Sequence, residues 1–111
     1  MNVTELDGSK IYAEIVKAAD DHADKDSAAT LLEETKGIVL AELIVRQDQT
    51  LSVAAREYIA KADPVFRLHI VNMVEARRVA NRAKGKYEGT KLLADLRRSE
   101  HTTQRAMMRG A

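Results

Sequence analysis

The single proline of this chain, Pro64, directly follows an aspartate. An aspartate accepts hydrogen bonds from the free amides at the start of a helix, and proline in the first helical position removes no donor that the helix needs. The pair Asp63-Pro64 therefore predicts that a helix begins here. Beyond it, only Gly85 and Gly89 weaken the helical pattern before Gly110.

A helix from residue 64 to residue 108 would contain 45 residues and measure about 67 Å at 1.5 Å per residue. A compact domain of this size has a radius of gyration of roughly 13 Å. The other 63 residues, folded as a ball, could not cover such a helix. We therefore expect the helix to bend, or to bind a second chain or a nucleic acid.

The two glycines allow two alternatives for the segment 84–89. Glycine inside a helix costs about 1 kcal/mol, which packing can offset. The helix either breaks there into a helical hairpin or continues, straight or kinked. The continuous helix is the favoured alternative.

Composition supports an all-α fold with a core of aliphatic residues and alanine. Aromatic residues make up only 4% of the 111 residues, and charged residues make up 32%. We predict short N-terminal helices followed by one long basic C-terminal helix, arranged as a helical bundle or a coiled-coil-like oligomer. This length allows one domain, divided into an acidic helical segment, 1–63, and the long basic helix, 64–111.

The acidic segment contains patterns for three shorter helices. The first is predicted over 9–23, and the polar cluster 20–26 is interpreted as a connection. A second is predicted over 28–47, capped by Asp26 or Ser27.

The run Ile38–Val45 is β-branched enough for a strand, but length and the lack of strand partners favour a helix. Residues 46–50 are predicted to form a loop. A third, short helix is expected to begin at Thr50 or Ser52 and to end at Ala62.

Charge divides at the same place as the predicted helices. Residues 1–63 carry 7 Lys and Arg against 13 Asp and Glu, a net charge of −6, whereas residues 64–111 carry 11 against 4, a net charge of +7. Such a chain can pair with itself, pair with a second copy, or present its basic half to phosphates.

A heptad stripe along the C-terminal half predicts a helix–helix contact. Alanine at its central positions lets two helices approach closely, so we interpret the stripe as an oligomer contact. This seam consists of Phe66, His69, Met73, Ala76, Ala80, Ala83, Tyr87 and Ala94. Beyond Thr90 the stripe is expected to fail, because Arg97 and His101 fall on it. A replacement, the leucine stripe, consists of Leu92, Leu93, Leu96, Thr103 and Met107.

Five cations at seven-residue intervals flank the seam. This basic ridge consists of Arg77, Lys84, Lys91, Arg98 and Arg105. One interpretation is that these cations pair with acids on a facing helix. The alternative is a phosphate-binding strip for nucleic acid, with salt-sensitive and sequence-independent contacts. The residues proposed for that strip are Arg77, Arg78, Arg82, Lys84, Lys91, Arg98 and Arg105.

The residue types that catalyse reactions or bind metals do not form a known motif in this sequence. The cluster 20–26 fails the calcium-loop spacing, because its sixth residue is Lys25 rather than glycine. The chain has no cysteine and its three histidines lie far apart in sequence, so we expect no enzyme, no metal and no cofactor. His69 is interpreted as a packed or interfacial histidine.

Cellular location is inferred from two further features. No stretch approaches the roughly 20 apolar residues of a membrane-spanning helix, and the chain begins with no basic segment typical of a secretory signal. We expect a cytoplasmic protein with no membrane contact.

Two segments carry a resemblance to a known group of proteins: 75–83, and 96–109 after Tyr87. They resemble the C-terminal half of small, mostly uncharacterised helical proteins encoded by tailed phages and prophages of Gram-negative bacteria. The resemblance implies a phage accessory protein that acts in the host cytoplasm, and it implies no catalytic residues.

Together these patterns predict a non-enzymatic helical interaction or assembly protein that forms a homo-oligomer, a dimer in the simplest case. Its partners would be a second copy or a host or phage protein. The alternative is a nucleic-acid-binding accessory protein that contacts phosphates through its basic C-terminal helix.

Overall fold

The structure, a computed structural model, describes residues 8–110. These residues form three helices: α1 (Gly8–Val45), α2 (Val53–Ala62) and α3 (Pro64–Gly110). No strand occurs in this range. The all-α prediction is confirmed, as is the long C-terminal helix. No helix within 8–110 has an apolar stretch long enough to cross a bilayer.

Helix α1 is one continuous helix of 38 residues, which corrects the prediction of two helices joined by a connection at 20–26. This cluster contains no proline or glycine, and two alanines precede it. Asp26 and Ser27 both lie inside α1, so neither caps a new helix. The Asp26 carboxylate instead accepts a hydrogen bond from Arg77 on α3. The run Ile38–Val45 is helical, as favoured from its length.

Local capping determines both ends of α2. The Ser52 side chain accepts a hydrogen bond from the Ala55 amide at 3.1 Å, so the predicted cap at Ser52 is confirmed and residues 46–52 form the connection. Asp63 ends α2, with its amide bonded to the Ala60 carbonyl. Its carboxylate also accepts a hydrogen bond from the Val65 amide at 2.7 Å, which confirms the predicted start of the next helix.

Helix α3 is uninterrupted over 47 residues, so the break considered at 84–89 does not occur. Neither Gly85 nor Gly89 adopts a positive φ. Both are ordinary helical residues, and no atom lies within 4 Å of the place where a Cβ would be. Packing inside the described chain therefore does not explain either glycine.

The chain divides into two compact units, and neither coincides with the acidic or the basic segment. Within the described residues, unit 1 comprises 8–23 and 81–110, and unit 2 comprises Asp24–Ala80. Each unit thus combines a part of α1 with a part of α3, and unit 2 also contains α2.

The core of unit 2 lies where all three helices meet. Leu43 of α1, Ala60 of α2 and Phe66 of α3 are buried together. Partly buried aliphatic side chains surround them: Val39, Leu40, Ile44 and Ile70. Phe66 follows the Asp63 cap by three residues, so the corner between α2 and α3 places its ring in this cluster.

The buried apolar set is small for the number of large apolar residues. Within 8–110, six hydrophobic residues are buried and four of them are alanines: Ala29, Leu43, Ala60, Phe66, Ala80 and Ala83. In the same range, eighteen large hydrophobic side chains are exposed. Alanine buries little area, so close helix contacts here contribute less hydrophobic free energy than leucine contacts would.

We predict that Phe66→Ala lowers the free energy of unfolding by about 3 kcal/mol, because it removes most of a buried aromatic ring and leaves a cavity. Leu68→Ala, two residues along the same helix, is the matched control. Its side chain is 60% exposed, so we expect a loss below about 1 kcal/mol. Urea unfolding followed by circular dichroism measures both, and equal losses would contradict this account of the core.

Candidate functional site

The seam packs against other residues of the same chain rather than remaining exposed for a second chain. Phe66, Ala80 and Ala83 are buried, and the other five seam residues are half-buried. The His69 Nε2 atom donates a hydrogen bond to the Leu32 carbonyl of α1 at 2.7 Å. In unit 1 the rings of Tyr87 and His22 stack, with centroids 6.2 Å apart. The partner of the seam is therefore α1 of the same chain, which corrects its assignment to an oligomer contact.

The length of α1 explains this correction. The sequence interpretation assumed short N-terminal helices, which could not accompany a helix of 47 residues. One helix of 38 residues supplies a packing partner for α3 in each of the two units.

The seam also does not end at Thr90. Thr90, Ala94 and Arg97 are all half-buried, and the Arg97 side chain is only 18% exposed. All five residues of the leucine stripe are exposed instead, so the expected change of stripe does not occur. A long arginine side chain can occupy a seam position because its aliphatic part packs, and the Nη1 atom of Arg97 donates to Glu100, three residues later on α3, at 3.3 Å.

A groove of about 570 Å³ accompanies this end of the seam in unit 1. Apolar side chains of α1 form one wall, and cationic side chains of α3 form much of the other. The lining residues are Gly8, Ile11, Tyr12, Ile15, Ala94, Arg97, Arg98 and His101. His101, predicted to interrupt the stripe, thus lies at the edge of the contact.

Arg77 forms the best-defined polar contact between α1 and α3. Its Nε and Nη2 atoms donate to the two oxygens of Glu33 at 2.9 and 2.7 Å, a bidentate arrangement. Its Nη1 atom donates to Asp26 at 2.7 Å, and Nη2 also reaches the Thr30 hydroxyl at 3.3 Å. This Arg77 bridge is the interhelical pairing predicted as one interpretation of the basic ridge.

The Arg77 bridge shifts the ionisation of its members. The hydrogen bonds from Arg77, with its positive charge, hold the pKa of Glu33 below its ordinary value near 4.5. The carboxylates of Glu33 and Asp26 in turn raise the pKa of Arg77. Each charge favours the charged form of the other, so the bridge is fully formed at neutral pH.

The remaining ridge residues are not bonded to acids of α1. Lys84 and Arg105 form no ion pair among the described residues. Arg98 lies 3.7 Å from Asp95 on its own helix, and both side chains are mostly exposed. The Lys91 ammonium lies 4.4 Å above the ring of Tyr87, a cation–π contact that leaves its charge uncompensated.

The flanking residues of the proposed phosphate strip divide in the same way. Arg78 is bonded to Glu75, three residues earlier on α3, at 2.7 Å. Arg82 is exposed, and no ion pair joins it to any residue of 8–110. Of the seven residues predicted for nucleic acid, Arg77 and Arg78 are hydrogen-bonded to carboxylates and Arg98 forms a longer, exposed ion pair with Asp95. The other four form no ion pair within residues 8–110: Arg82, Lys84, Lys91 and Arg105.

No group of three or more metal-binding side chains comes together within residues 8–110. The aspartates of the cluster 20–26 are distributed along α1, and Asp26 is used by the Arg77 bridge. His22 lies against Tyr87, and His69 is bonded to a backbone carbonyl.

One surface was missed in the sequence. Gly85, Gly89, Leu92 and Leu96 follow one another at intervals of four and three, which places them on one side of α3. We call this set the glycine–leucine face. Its spacing was visible in the sequence, but the glycines were considered there only for whether the helix breaks or continues, and the two leucines only as part of the leucine stripe.

Comparison with known proteins gives no further guide to function. No protein family, no curated protein and no solved structure matches this chain.

We predict that Arg77→Gln lowers stability at neutral pH, because it removes the charged partner of Glu33 and Asp26. A carboxyl whose pKa is lowered by folding stabilises the fold above its unfolded pKa, and this contribution is lost as the pH falls through the folded pKa. The difference between the wild type and Arg77→Gln should therefore shrink as the pH falls from neutral to below about 4.

Arg78→Gln is the matched control, because Arg78 binds a carboxylate on its own helix with both side chains 56% exposed. Exposed pairs of this kind contribute little. Thermal unfolding at several pH values measures both variants. A pH-independent loss for Arg77→Gln would contradict the assigned role of Glu33.

Proposed function

We propose that this protein is a non-enzymatic helical assembly protein that forms a homo-oligomer. One observation supports the proposal above all others: large apolar side chains on the outside of the described chain outnumber those in its core. Eighteen are exposed, whereas only Leu43 and Phe66 are large and buried. Exposed apolar surface on this scale is typical of subunits that bury it against another chain.

In unit 2 the exposed apolar residues follow helical periods. Leu31, Ile38 and Val45 lie seven residues apart on α1 and are 58–74% exposed. Ile38 and Val45, with Ala41, Glu42 and Arg46, line a shallow groove of about 450 Å³. A stripe with this spacing is the type of surface that packs against a second helix.

In unit 1 the glycine–leucine face has the same property with a distinct geometry. Leu92 and Leu96 are 60% and 53% exposed, and the two glycines leave open space beside them. Two copies paired antiparallel, about an axis between residues 90 and 91, would place each Leu92 opposite Gly89 of the other copy and each Leu96 opposite Gly85. Each leucine would then fill the space that a glycine leaves.

This register explains why glycines occur inside α3. Each lowers helix stability by about 1 kcal/mol relative to alanine, and nothing in the described chain requires either. A second helix at close range would require both. Self-pairing of an identical surface is the commonest arrangement in homodimers.

The biological setting is proposed from the resemblance of the C-terminal half to phage proteins. In that setting the protein acts in the host cytoplasm as an accessory factor. Its assembly would present several copies of α3 to a host or phage partner.

We predict that the wild type forms dimers or larger species in light scattering, and that Gly89→Leu weakens this association by at least about tenfold. Leucine favours the helix more than glycine but occupies the space required by the other copy's Leu92. Gly37→Leu is the matched control, because Gly37 is also a helical glycine with open space around it.

The pair of variants separates two surfaces. Loss of association in Gly89→Leu alone supports the glycine–leucine face. Loss in Gly37→Leu and Ile38→Glu, with Gly89→Leu unaffected, assigns the contact to α1 in unit 2. A wild type that remains monomeric at all concentrations would rule out the assembly function.

A further inference from the structure

The cations of α3 are distributed unevenly between the two units. Unit 2 is nearly neutral, with 8 Lys and Arg against 9 Asp and Glu. The described residues of unit 1 carry 10 against 6, a net charge of +4. Within its α3 part, 81–110, the count is 8 against 3. Folding therefore neutralises the basic half in unit 2 and leaves it basic in unit 1.

Four members of the basic ridge lie in this uncompensated part. Lys84, Lys91, Arg98 and Arg105, which we call the distal ridge, follow one another at seven-residue intervals on one side of α3. They cover about 32 Å of helix. None of the four is bonded to an acid of α1 in the described chain, in contrast to Arg77.

The distal ridge does not coincide with the proposed assembly surface. Gly85, Gly89, Leu92 and Leu96 precede or follow ridge positions by one or two residues, which turns them 100–200° around a helix. A dimer formed through the glycine–leucine face would therefore leave the distal ridge of each copy accessible.

Charge and the shortage of aromatic groups together identify the partner. Single-stranded nucleic acids are held by aromatic side chains on which bases stack. Tyr87 is the one aromatic residue of unit 1 on α3, and it is half-buried between His22 and Lys91. On α1 of the same unit, the exposed Tyr12 lines the groove beside Arg98, so one exposed ring lies near one ridge member. A row of four cations with a single exposed ring beside it suits the regularly spaced phosphates of a duplex better than stacked single-stranded bases.

We propose that the distal ridge binds the phosphate backbone of double-stranded nucleic acid without regard to sequence. Each of the four side chains contacts a phosphate as a point charge or a guanidinium donor. This binding surface is independent of the assembly function, because it uses a different side of α3 and requires only one copy of the chain.

The test is fluorescence anisotropy with a labelled DNA duplex of mixed sequence across a range of salt concentrations. Four phosphate contacts give a slope of about −3.6 in a plot of the logarithm of the association constant against the logarithm of the salt concentration. The association constant should therefore fall about a hundredfold between 50 and 200 mM salt. Lys84→Glu/Lys91→Glu/Arg105→Glu should abolish binding at the higher salt concentration.

A control with the same change in net charge separates the ridge from a general charge effect. Lys17→Glu/Lys25→Glu/Lys36→Glu reverses three exposed lysines of α1 and should retain most of the affinity. Circular dichroism confirms that both triple variants remain helical, and light scattering on the same samples reports assembly separately.

Three results would overturn the proposal. The first is an equal loss of affinity in the two triple variants, and the second is absence of duplex binding at low salt. The third is preference for single-stranded DNA or for vesicles of anionic lipid over the duplex. Duplex binding by a monomeric wild type would support the distal ridge while ruling out the assembly function.

Discussion

The continuity of α1 through the polar residues 20–26 is the constraint on which the rest of this structure depends. Four aspartates in seven residues are poor helix formers, yet the helix passes through them. Asp26 contributes to this by bonding to Arg77 across the helix pair. Because α1 continues, α3 finds a partner in each unit, and its alanine positions are filled inside the chain rather than between chains.

The same arrangement decides which charges remain available. Acids of α1 that lie in unit 2 meet Arg77, so the opposition of an acidic and a basic half is resolved there by direct bonding. In unit 1 the cations of α3 outnumber the acids that fold beside them. The sequence suggested a choice between self-pairing and binding to phosphates. The fold pairs Arg77 with acids of α1, and it leaves the four cations of the distal ridge without a bonded acid of α1.

Features decided within a few residues could be predicted from the sequence. Ser52 and Asp63 cap helices through atoms two or three residues away, and both were predicted. The heptad stripe correctly indicated which side of α3 is buried, because burial depends on period alone. It could not indicate what covers that side, since this depends on the length of a helix elsewhere in the chain.

Contacts between distant residues were the ones that local patterns missed. Asp26 or Ser27 was interpreted as a cap from neighbouring residues alone, whereas the partner that Asp26 binds, Arg77, lies 51 residues away. Arg97 was expected to end the stripe because its positive charge was considered, whereas the capacity of its aliphatic part to pack was not. The favoured continuity of α3 through its two glycines was confirmed, but the local pattern recorded only the cost of glycine in a helix and not the open space beside Gly85 and Gly89.

The joint at Asp63 has a consequence for how this chain can vary in length. One residue ends α2 with its amide and begins α3 with its carboxylate. An insertion on either side would separate these two roles and leave one helix end without its cap. It would also rotate Phe66 away from Leu43 and Ala60. Natural or engineered changes of length therefore belong in the connection 46–52, while the corner between α2 and α3 is restricted to a single residue.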